Sequence, residues 1–138
     1  YKTLLAFGYK TAPALGLVRN ETEKAAEACA EVLANQMRPV FPFHAFKRNI
    51  KNFIEYKFPG MGWKVTDPKA RGRKITFYVR ECLYCTICKK FGCPELCEVF
   101  CDYERAAFGK GLGSVMEFEC GGRIATGYDK CEFKFTKR

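Results

Sequence analysis

Cysteine is the residue type whose number and spacing in this 138-residue chain point to chemistry. Six of the nine cysteines lie within twenty residues, in CLYCTICKKFGCPELCEVFC at 82–101. A thiolate is both a nucleophile and a soft metal ligand. Three interpretations therefore compete: a metal or iron–sulfur site, a disulfide framework, or a reactive thiol among cysteines that fill space. Disulfides are disfavoured, because a chain of this length can bury a core without bridges and an odd count leaves a thiol unpaired.

The first four cysteines of the segment resemble an iron–sulfur motif. Their spacing is C-x2-C-x2-C-x4-C-P, whereas bacterial ferredoxins use C-x2-C-x2-C-x3-C-P. The candidate cluster ligands are Cys82, Cys85, Cys88 and Cys93. They could reach one cluster if the segment is a loop, and they could serve as packing residues if it is a helix.

A zinc site would use a different set of cysteines, taken from separate elements. Cys97 and Cys101 are four residues apart on a predicted helix, and Cys120 and Cys131 lie on core-facing positions of predicted strands. The set contains no repeated C-x2-C pair. The alternative is that these cysteines act as small hydrophobic residues.

A catalytic thiol would need a base or a positive charge nearby. The single histidine, His44, is interpreted as structural, so the candidates for lowering a cysteine pKa are Arg80, Arg123, Lys89 and Lys90. Asp102 directly follows Cys101 and is a candidate general acid or base, with an exposed helix carboxylate as the alternative.

Two helices are predicted to come first and to position these residues. The pattern of 20–37 predicts a helix capped by Asn20, with one apolar stripe. The stripe consists of Ala25, Cys29, Val32, Leu33 and Met37. A second helix is predicted over 43–57 and ends at Pro59 and Gly60.

The remaining chain is predicted to form strands around one further helix. Strands are predicted at 62–67 and 74–82, a helix at 94–111, and strands at 114–120 and 131–135, with a further strand piece and a turn between the last two. Cys82 has the parity of the outer strand face and falls at a strand end, so it is a better candidate for chemistry than Cys29. The expected fold class is α+β, an antiparallel sheet with helices packed on it.

Composition predicts one globular domain over residues 1–138, with 48% hydrophobic residues. The chain starts at Tyr1 rather than Met, which is compatible with a short N-terminal extension. The apolar run near the start contains Lys10 and Pro13 and is too short to span a bilayer, so no membrane partner is expected. The cysteine usage favours a reducing cytoplasm.

The net charge of +9 arises partly from two basic clusters, at 47–57 and 68–74. No nucleic-acid motif accompanies them, so nucleic acid is disfavoured as a partner and a small anionic molecule is favoured. A basic interaction module is a further hypothesis. The sequence leaves the oligomeric state open.

Four features resemble the L-2-amino-thiazoline-4-carboxylate hydrolase family. They are the strand FYVREC ending at Cys82, G-x-P-E-L at 92–96, the pair Cys101 and Asp102, and ATGYDKCEFKF at 125–135. The two preceding helices and GWKV at 62–65 also fit, so the resemblance covers most of the chain.

This resemblance implies a hydrolase that acts on a small cyclic, amidine-like C–N bond and adds water to give N-carbamoyl cysteine. Cys82 or Cys101 would be the nucleophile or a ligand, and Asp102 the acid or base. Arg80 or Arg123 would bind the substrate carboxylate.

The closing signature is also similar to the 4-vinyl reductase domain, a small-molecule-sensing fold with zinc-binding members. The similarity places Cys97, Cys120 and Cys131 at ligand positions and Arg123, which cannot ligate, at the fourth, unless Cys101 replaces it. The implied alternative function is a binding or sensor domain without catalysis, with zinc or an iron–sulfur cluster as the possible cofactor. Cys85, Cys88, Cys93 and Cys97 are additions to the hydrolase pattern, which favours a metal.

Overall fold

The computed structural model describes residues 1–37 and 40–138, which form six α-helices and four β-strands. The helices are α1 Lys2–Ala6, α2 Thr11–Gln36, α3 Pro42–Arg48, α4 Ile50–Lys57, α5 Leu83–Lys90 and α6 Leu96–Leu112. The strands are β1 Lys64–Arg71, β2 Lys74–Glu81, β3 Met116–Gly121 and β4 Cys131–Lys137. Within these residues no helix has the length and apolarity needed to cross a membrane.

The strands form one antiparallel sheet in the order β1-β2-β4-β3. A two-residue turn joins β1 to β2, and Gly72 in that turn has a φ of 53°, a value that favours glycine. The edge strand β1 is irregular between Thr66 and Lys69, where Asp67 has a φ of 55° and Pro68 follows. A bulge and a proline are common on edge strands, where they discourage pairing with another chain.

Alternation along β2 and β4 places one face of the sheet in the core. Ile75, Phe77 and Val79 of β2 are buried, and so are Cys131, Phe133 and Phe135 of β4. Helices α2, α3, α4 and α6 contribute apolar residues to this main core, namely Leu33, Phe43, Phe46, Ile50, Phe108 and Leu112. The predicted α+β class with an antiparallel sheet is therefore confirmed.

A second, smaller core lies between α5 and the first turns of α6. It consists of Cys85, Cys88, Cys93, Leu96, Cys97 and Val99. Four cysteines of the dense segment thus fill space between two helices, as small hydrophobic residues do.

Several sequence predictions about the helices need correction. Helix α2 begins at Thr11 rather than at Asn20, because Pro13 is tolerated within a first turn, where its missing N–H has no intrahelical acceptor. Its buried side includes Ala26 and Ala30 as well as Leu33, whereas the predicted Val32 is exposed. The helix predicted over 43–57 is two helices that meet at Asn49.

The segments between strands also differ from prediction. Strand β1 continues to Arg71, through residues expected to form a turn. The strand piece expected between β3 and β4 is a 3-10 turn at Ile124–Thr126. The segment after Cys82, for which loop and helix were both open, forms α5.

Candidate active site around Cys82

A cavity of about 10 Å³ lies where β2, β4, α5 and α6 meet the segment that precedes β1. Its walls are mainly aromatic and apolar: Phe58, Trp63, Val79, Tyr84, Phe100 and Phe133. Its chemically active side chains are five thiols and one carboxyl group: Cys82, Cys85, Cys97, Cys101, Cys131 and Glu104. An apolar wall with a few converging polar groups is the usual composition of a small-molecule site.

Cys82 is the N-cap residue of α5 and has extended backbone angles, with φ −119° and ψ 117°. The pKa of its thiol is lowered to about 6, first through hydrogen bonding with the Cys85 thiol and also through the backbone amides of Cys85 and Tyr84. The Cys82 side chain makes no N-cap hydrogen bond to these amides. Their N–H dipoles at the start of α5 nevertheless favour a negative charge on the Cys82 sulfur. Cys82 is therefore a thiolate at neutral pH.

The thiols behind Cys82 stay protonated. The pKa of Cys85 is raised strongly, because its thiol donates to Cys82 and is itself buried. Burial and the neighbouring Cys97 raise the pKa of Cys88 to about 12. The group thus consists of one half-buried thiol with a lowered pKa, backed by buried thiols with raised pKa values.

Cys131 at the start of β4 is a second thiol with a lowered pKa, of about 7. The Cys120 thiol is the main cause, and the backbone N–H of Ile124 donates to the Cys131 sulfur at 3.3 Å. Only 7% of Cys131 is exposed, so it is much less accessible than the half-buried Cys82. The pKa of Cys101 shifts in the other direction, because burial and the charge of Glu104 raise it to about 12.

Glu104 on α6 supplies the carboxyl group of the cavity. Its pKa is raised well above the usual value, first by burial and then by the negative charges of Cys82 and Cys131. A carboxyl group with a raised pKa and a thiol with a lowered pKa therefore face one cavity. Arg123, half-buried beside the 3-10 turn, is the positive charge that lowers the pKa of Cys101 and Cys131.

The structure brings together three of the residues suggested by the sequence and separates two others. Cys82 and Cys101 line the cavity, and Arg123 lies near Cys101 and Cys131. Asp102 does not line it; its carboxylate forms ion pairs with Arg19 at 3.2 Å and Arg105 at 3.3 Å.

Arg80 lies on the exposed face of β2. It donates to Thr66 at 3.2 Å and pairs with Asp129 at 3.8 Å. His44 is exposed on α3, against Phe41 and Phe43, and does not line the cavity.

Neither metal hypothesis gains support. Among residues 1–37 and 40–138 no group of three or more His, Cys, Asp or Glu side chains is placed to hold a metal ion. The zinc set is divided, because Cys97 packs in the small core while Cys120 and Cys131 pack on the sheet. Of the iron–sulfur set, Cys85, Cys88 and Cys93 are packed inside the small core.

Sequence reasoning missed Glu104 and Trp63. Glu104 follows Cys97 by seven residues and Cys101 by three, a spacing that places all three on one side of a helix. That periodicity was a usable signal. Trp63 was considered only as part of the predicted strand at 62–67; its buried Nε1 has no acceptor among the residues that the structure describes.

The family model of L-2-amino-thiazoline-4-carboxylic acid hydrolase matches residues 11–135. The chain belongs to this hydrolase family. The match confirms the resemblance drawn from the sequence, whereas the similarity to 4-vinyl reductase domains is not confirmed.

A search of the curated proteins gives no match. Among solved structures, a trafficking protein particle complex subunit 3 from Naegleria fowleri, crystallised covalently bound to palmitic acid, is similar to this member of the hydrolase family. The identity is 14% and the TM-score 0.41, with 99% of this chain and 87% of that chain covered. A likeness at this level carries no argument about what the hydrolase-family chain binds.

Proposed function

We propose that the chain hydrolyses a small carboxylate-bearing ring with an amidine-type C=N bond, of the 2-aminothiazoline-4-carboxylate class, and that Cys82 is the nucleophile. One observation carries the proposal: a thiol with a lowered pKa and a carboxyl group with a raised pKa line the same apolar cavity. Opposite shifts of two neighbouring acids are characteristic of a nucleophile and its proton donor. Membership in the hydrolase family supplies the substrate class.

The first half of the reaction opens the ring. The Cys82 thiolate attacks the ring carbon bonded to both nitrogens, and the electron pair of the C=N bond moves to the ring nitrogen. Glu104, protonated at this stage, donates a proton to that nitrogen. The bond between the attacked carbon and the ring sulfur then breaks, and the substrate sulfur leaves as a thiolate.

The second half releases the product. The Glu104 carboxylate takes a proton from water, and the resulting hydroxide attacks the carbon that is bonded to Cys82. The carbon–sulfur bond to Cys82 breaks and restores its thiolate, while the remaining proton of the water passes to the substrate sulfur. The product is an N-carbamoyl amino acid with a free thiol, as in the named reaction of the family. The ring bond that breaks is thus C–S, because both nitrogens remain on the attacked carbon.

Two further groups suit the substrate. Arg123 supplies a positive charge beside Cys101 and Cys131, where it can pair with the ring carboxylate. Trp63 supplies a buried N–H without an acceptor among the described residues. Both the charge and the unpaired donor would be better satisfied with an anionic, hydrogen-bonding ligand in place.

Substrate entry requires the aromatic wall to open. A cavity of about 10 Å³ holds roughly one water molecule and not a substituted five-membered ring. Trp63 and Tyr84, with ring centroids 5.3 Å apart, are half-buried and form the outer part of the wall. Trp63 follows Gly60 and Gly62, and small residues of this kind often serve as hinges.

The test is turnover of 2-aminothiazoline-4-carboxylate, followed by mass spectrometry of substrate and product. Cys82→Ala should lower kcat by at least about a thousandfold, since loss of a covalent nucleophile is among the largest single effects known. Glu104→Gln should lower kcat by at least about a hundredfold, the low end for general acid–base catalysis. Wild-type protein quenched during turnover should carry the ring-opened adduct on Cys82.

The controls separate Glu104 from the acid suggested by the sequence. Glu98→Gln changes an exposed carboxylate on the same helix and should leave kcat within about twofold, as surface substitutions usually do. If Asp102→Asn abolishes turnover and Glu104→Gln does not, Asp102 is the acid or base and the assignment of Glu104 is wrong. Full activity of Cys82→Ala would refute the covalent mechanism, and a lack of turnover on a panel of related rings would refute the proposed substrate class.

A further inference from the structure

The sequence Cys82-Leu83-Tyr84-Cys85 lies at the beginning of α5, with Cys82 at the N-cap and Cys85 in the first turn. Two cysteines separated by two residues at a helix start are the arrangement of dithiol oxidoreductase sites. In such sites the attacking cysteine is more exposed than its partner, and the two residues differ in the same way here. Cys82 is half-buried, whereas Cys85 is 3% exposed.

We propose that Cys82 and Cys85 form a reversible dithiol–disulfide pair that reacts with small-molecule disulfides. The Cys82 thiolate attacks one sulfur of the external disulfide, forms a mixed disulfide, and releases the other half as a thiolate. Cys85 then loses its proton and attacks the Cys82 sulfur. This step expels the second half as a thiol and closes the Cys82–Cys85 bond. The protein loses two electrons and the external disulfide gains them.

Cys82 has the properties of the attacking thiol. Its pKa of about 6 makes it largely a thiolate near neutral pH, and it remains close to the value at which an attacking thiol reacts fastest. Among the other cysteines, Cys101 and Cys88 are held as neutral thiols by pKa values of about 12. Cys131 has a lowered pKa but is 7% exposed, so a disulfide in solvent reaches it poorly.

Cys85 has the properties of the resolving thiol. It already donates to the Cys82 sulfur, so the two sulfur atoms are neighbours before any reaction. It is buried among apolar groups, where an external disulfide does not compete for it. Cys97, 1% exposed, also interacts with the Cys85 thiol and is a competitor for the same bond.

The redox reaction does not depend on the hydrolysis proposed above, because it uses no ring substrate and no proton transfer by Glu104. If Cys82 is also the hydrolytic nucleophile, oxidation would switch hydrolysis off. That consequence rests on the proposed function, whereas the experiment below measures the disulfide alone.

The experiment exposes the reduced protein to oxidised glutathione at neutral pH. Samples are quenched with acid, alkylated and analysed by intact mass and peptide mapping. The reduced protein has nine alkylatable thiols. We expect two fewer after oxidation, no retained glutathione, and a single internal disulfide that joins Cys82 to Cys85. Reduction with dithiothreitol should restore all nine.

Two variants define the roles of the two thiols. Cys85→Ser should stop at the mixed disulfide and retain one glutathione on Cys82. Cys82→Ser should react at least about tenfold more slowly than wild type, because it removes the thiolate that attacks the external disulfide. Cys88→Ser, a buried cysteine three residues further along α5, is the matched control and should still form the disulfide.

Three outcomes would overturn the proposal, and each can be seen in the wild-type protein. They are retention of glutathione without an internal disulfide, a disulfide mapped to Cys85 and Cys97 or to another pair, and no reaction faster than that of Cys29. Cys29 is a half-buried thiol on α2, outside the cavity, whose sulfur accepts a hydrogen bond from Lys57 Nζ at 3.2 Å, and it is the reference thiol with which Cys82 is compared.

Discussion

Cys82 and Glu104 show how one cavity can hold two acids in opposite protonation states. The thiol is ionised because hydrogen-bond donors converge on it, chiefly the Cys85 thiol. The pKa of the carboxyl group is raised because burial and the negative charges of Cys82 and Cys131 oppose its ionisation. Each shift follows from neighbours and burial rather than from the residue type. The proposed site is therefore active only at pH values above the pKa of Cys82 and below the pKa of Glu104.

The pH dependence of kcat/KM should be bell-shaped. Activity should rise as pH increases through about 6, where Cys82 loses its proton, and fall at higher pH as Glu104 loses the proton that it must donate. In Glu104→Gln the residual activity should keep the rise and lose the fall. A profile in which the rise occurs near the ordinary thiol pKa of 9.0 would contradict the role of Cys82.

The free energy of unfolding should also depend on pH through the ionisation of Cys82. Because its pKa is lower in the folded protein than in the unfolded chain, the unfolded chain binds more protons between pH 6 and pH 9. The stabilisation from Cys82 is thus complete above the unfolded pKa and is lost as pH falls through about 6.

At the scale of elements, the site depends on where α6 lies. This helix carries Cys97, Cys101 and Glu104 on one side, and another side packs closely on α2. Gly111 makes the close approach possible. A Cβ atom there would lie 2.7 Å from the carbonyl oxygen of Ala30 and 2.8 Å from the Cβ of Leu33.

Gly111→Ala should destabilise the protein despite the better helix propensity of alanine. We expect the free energy of unfolding to fall by about 1–3 kcal/mol, the usual cost of overpacking a tight contact. Gly109→Ala is the matched control, because nothing lies within 4 Å of its added Cβ. It should raise stability by up to about 1 kcal/mol through helix propensity. Urea denaturation of both variants measures the difference, and equal stability of the two would contradict the tight α2–α6 contact.

At the scale of the whole molecule, the net charge of +9 would attract the proposed anionic substrate before it reaches the cavity. Glu119 and Lys134 pair across β3 and β4, and Lys64 and Glu81 pair across β1 and β2 at 3.5 Å, so several carboxylates are already matched. The excess of Lys and Arg remains as a positive field. Such a field raises the rate at which small anions are captured.

Raising the ionic strength should therefore lower kcat/KM for the carboxylate ring and leave kcat nearly unchanged. The Debye length falls from about 30 Å at 0.01 M to about 8 Å at 0.15 M, so long-range attraction is largely screened. Steady-state kinetics at the two salt concentrations measure the effect, and the carboxamide analogue of the ring is the neutral control. An equal salt effect on both compounds would show that the charge of the protein does not guide the substrate.

Elements with a strong hydrophobic periodicity were predictable from the sequence. Alternation predicted the buried faces of β2 and β4, and the 3.6-residue repeat predicted α6 and most of α2, because these patterns arise within one element. The resemblance to the hydrolase family also rested on short stretches of sequence and is confirmed. Boundaries were less predictable: Asn20 is a good cap residue, but α2 begins nine residues earlier, at Thr11.

Which side chains share a site depends on tertiary packing and was not predictable from local sequence. Cys82 and Cys101 were equal candidates in the sequence, yet hydrogen-bond donors at the start of α5 lower one pKa and burial raises the other. Asp102 and Glu104 are two residues apart on one helix, so a rotation of about 200° separates their directions, and packing places Glu104 on the cavity. Ionisation depends on burial and on charges from distant parts of the chain. These neighbours are set by packing, which no local pattern encodes.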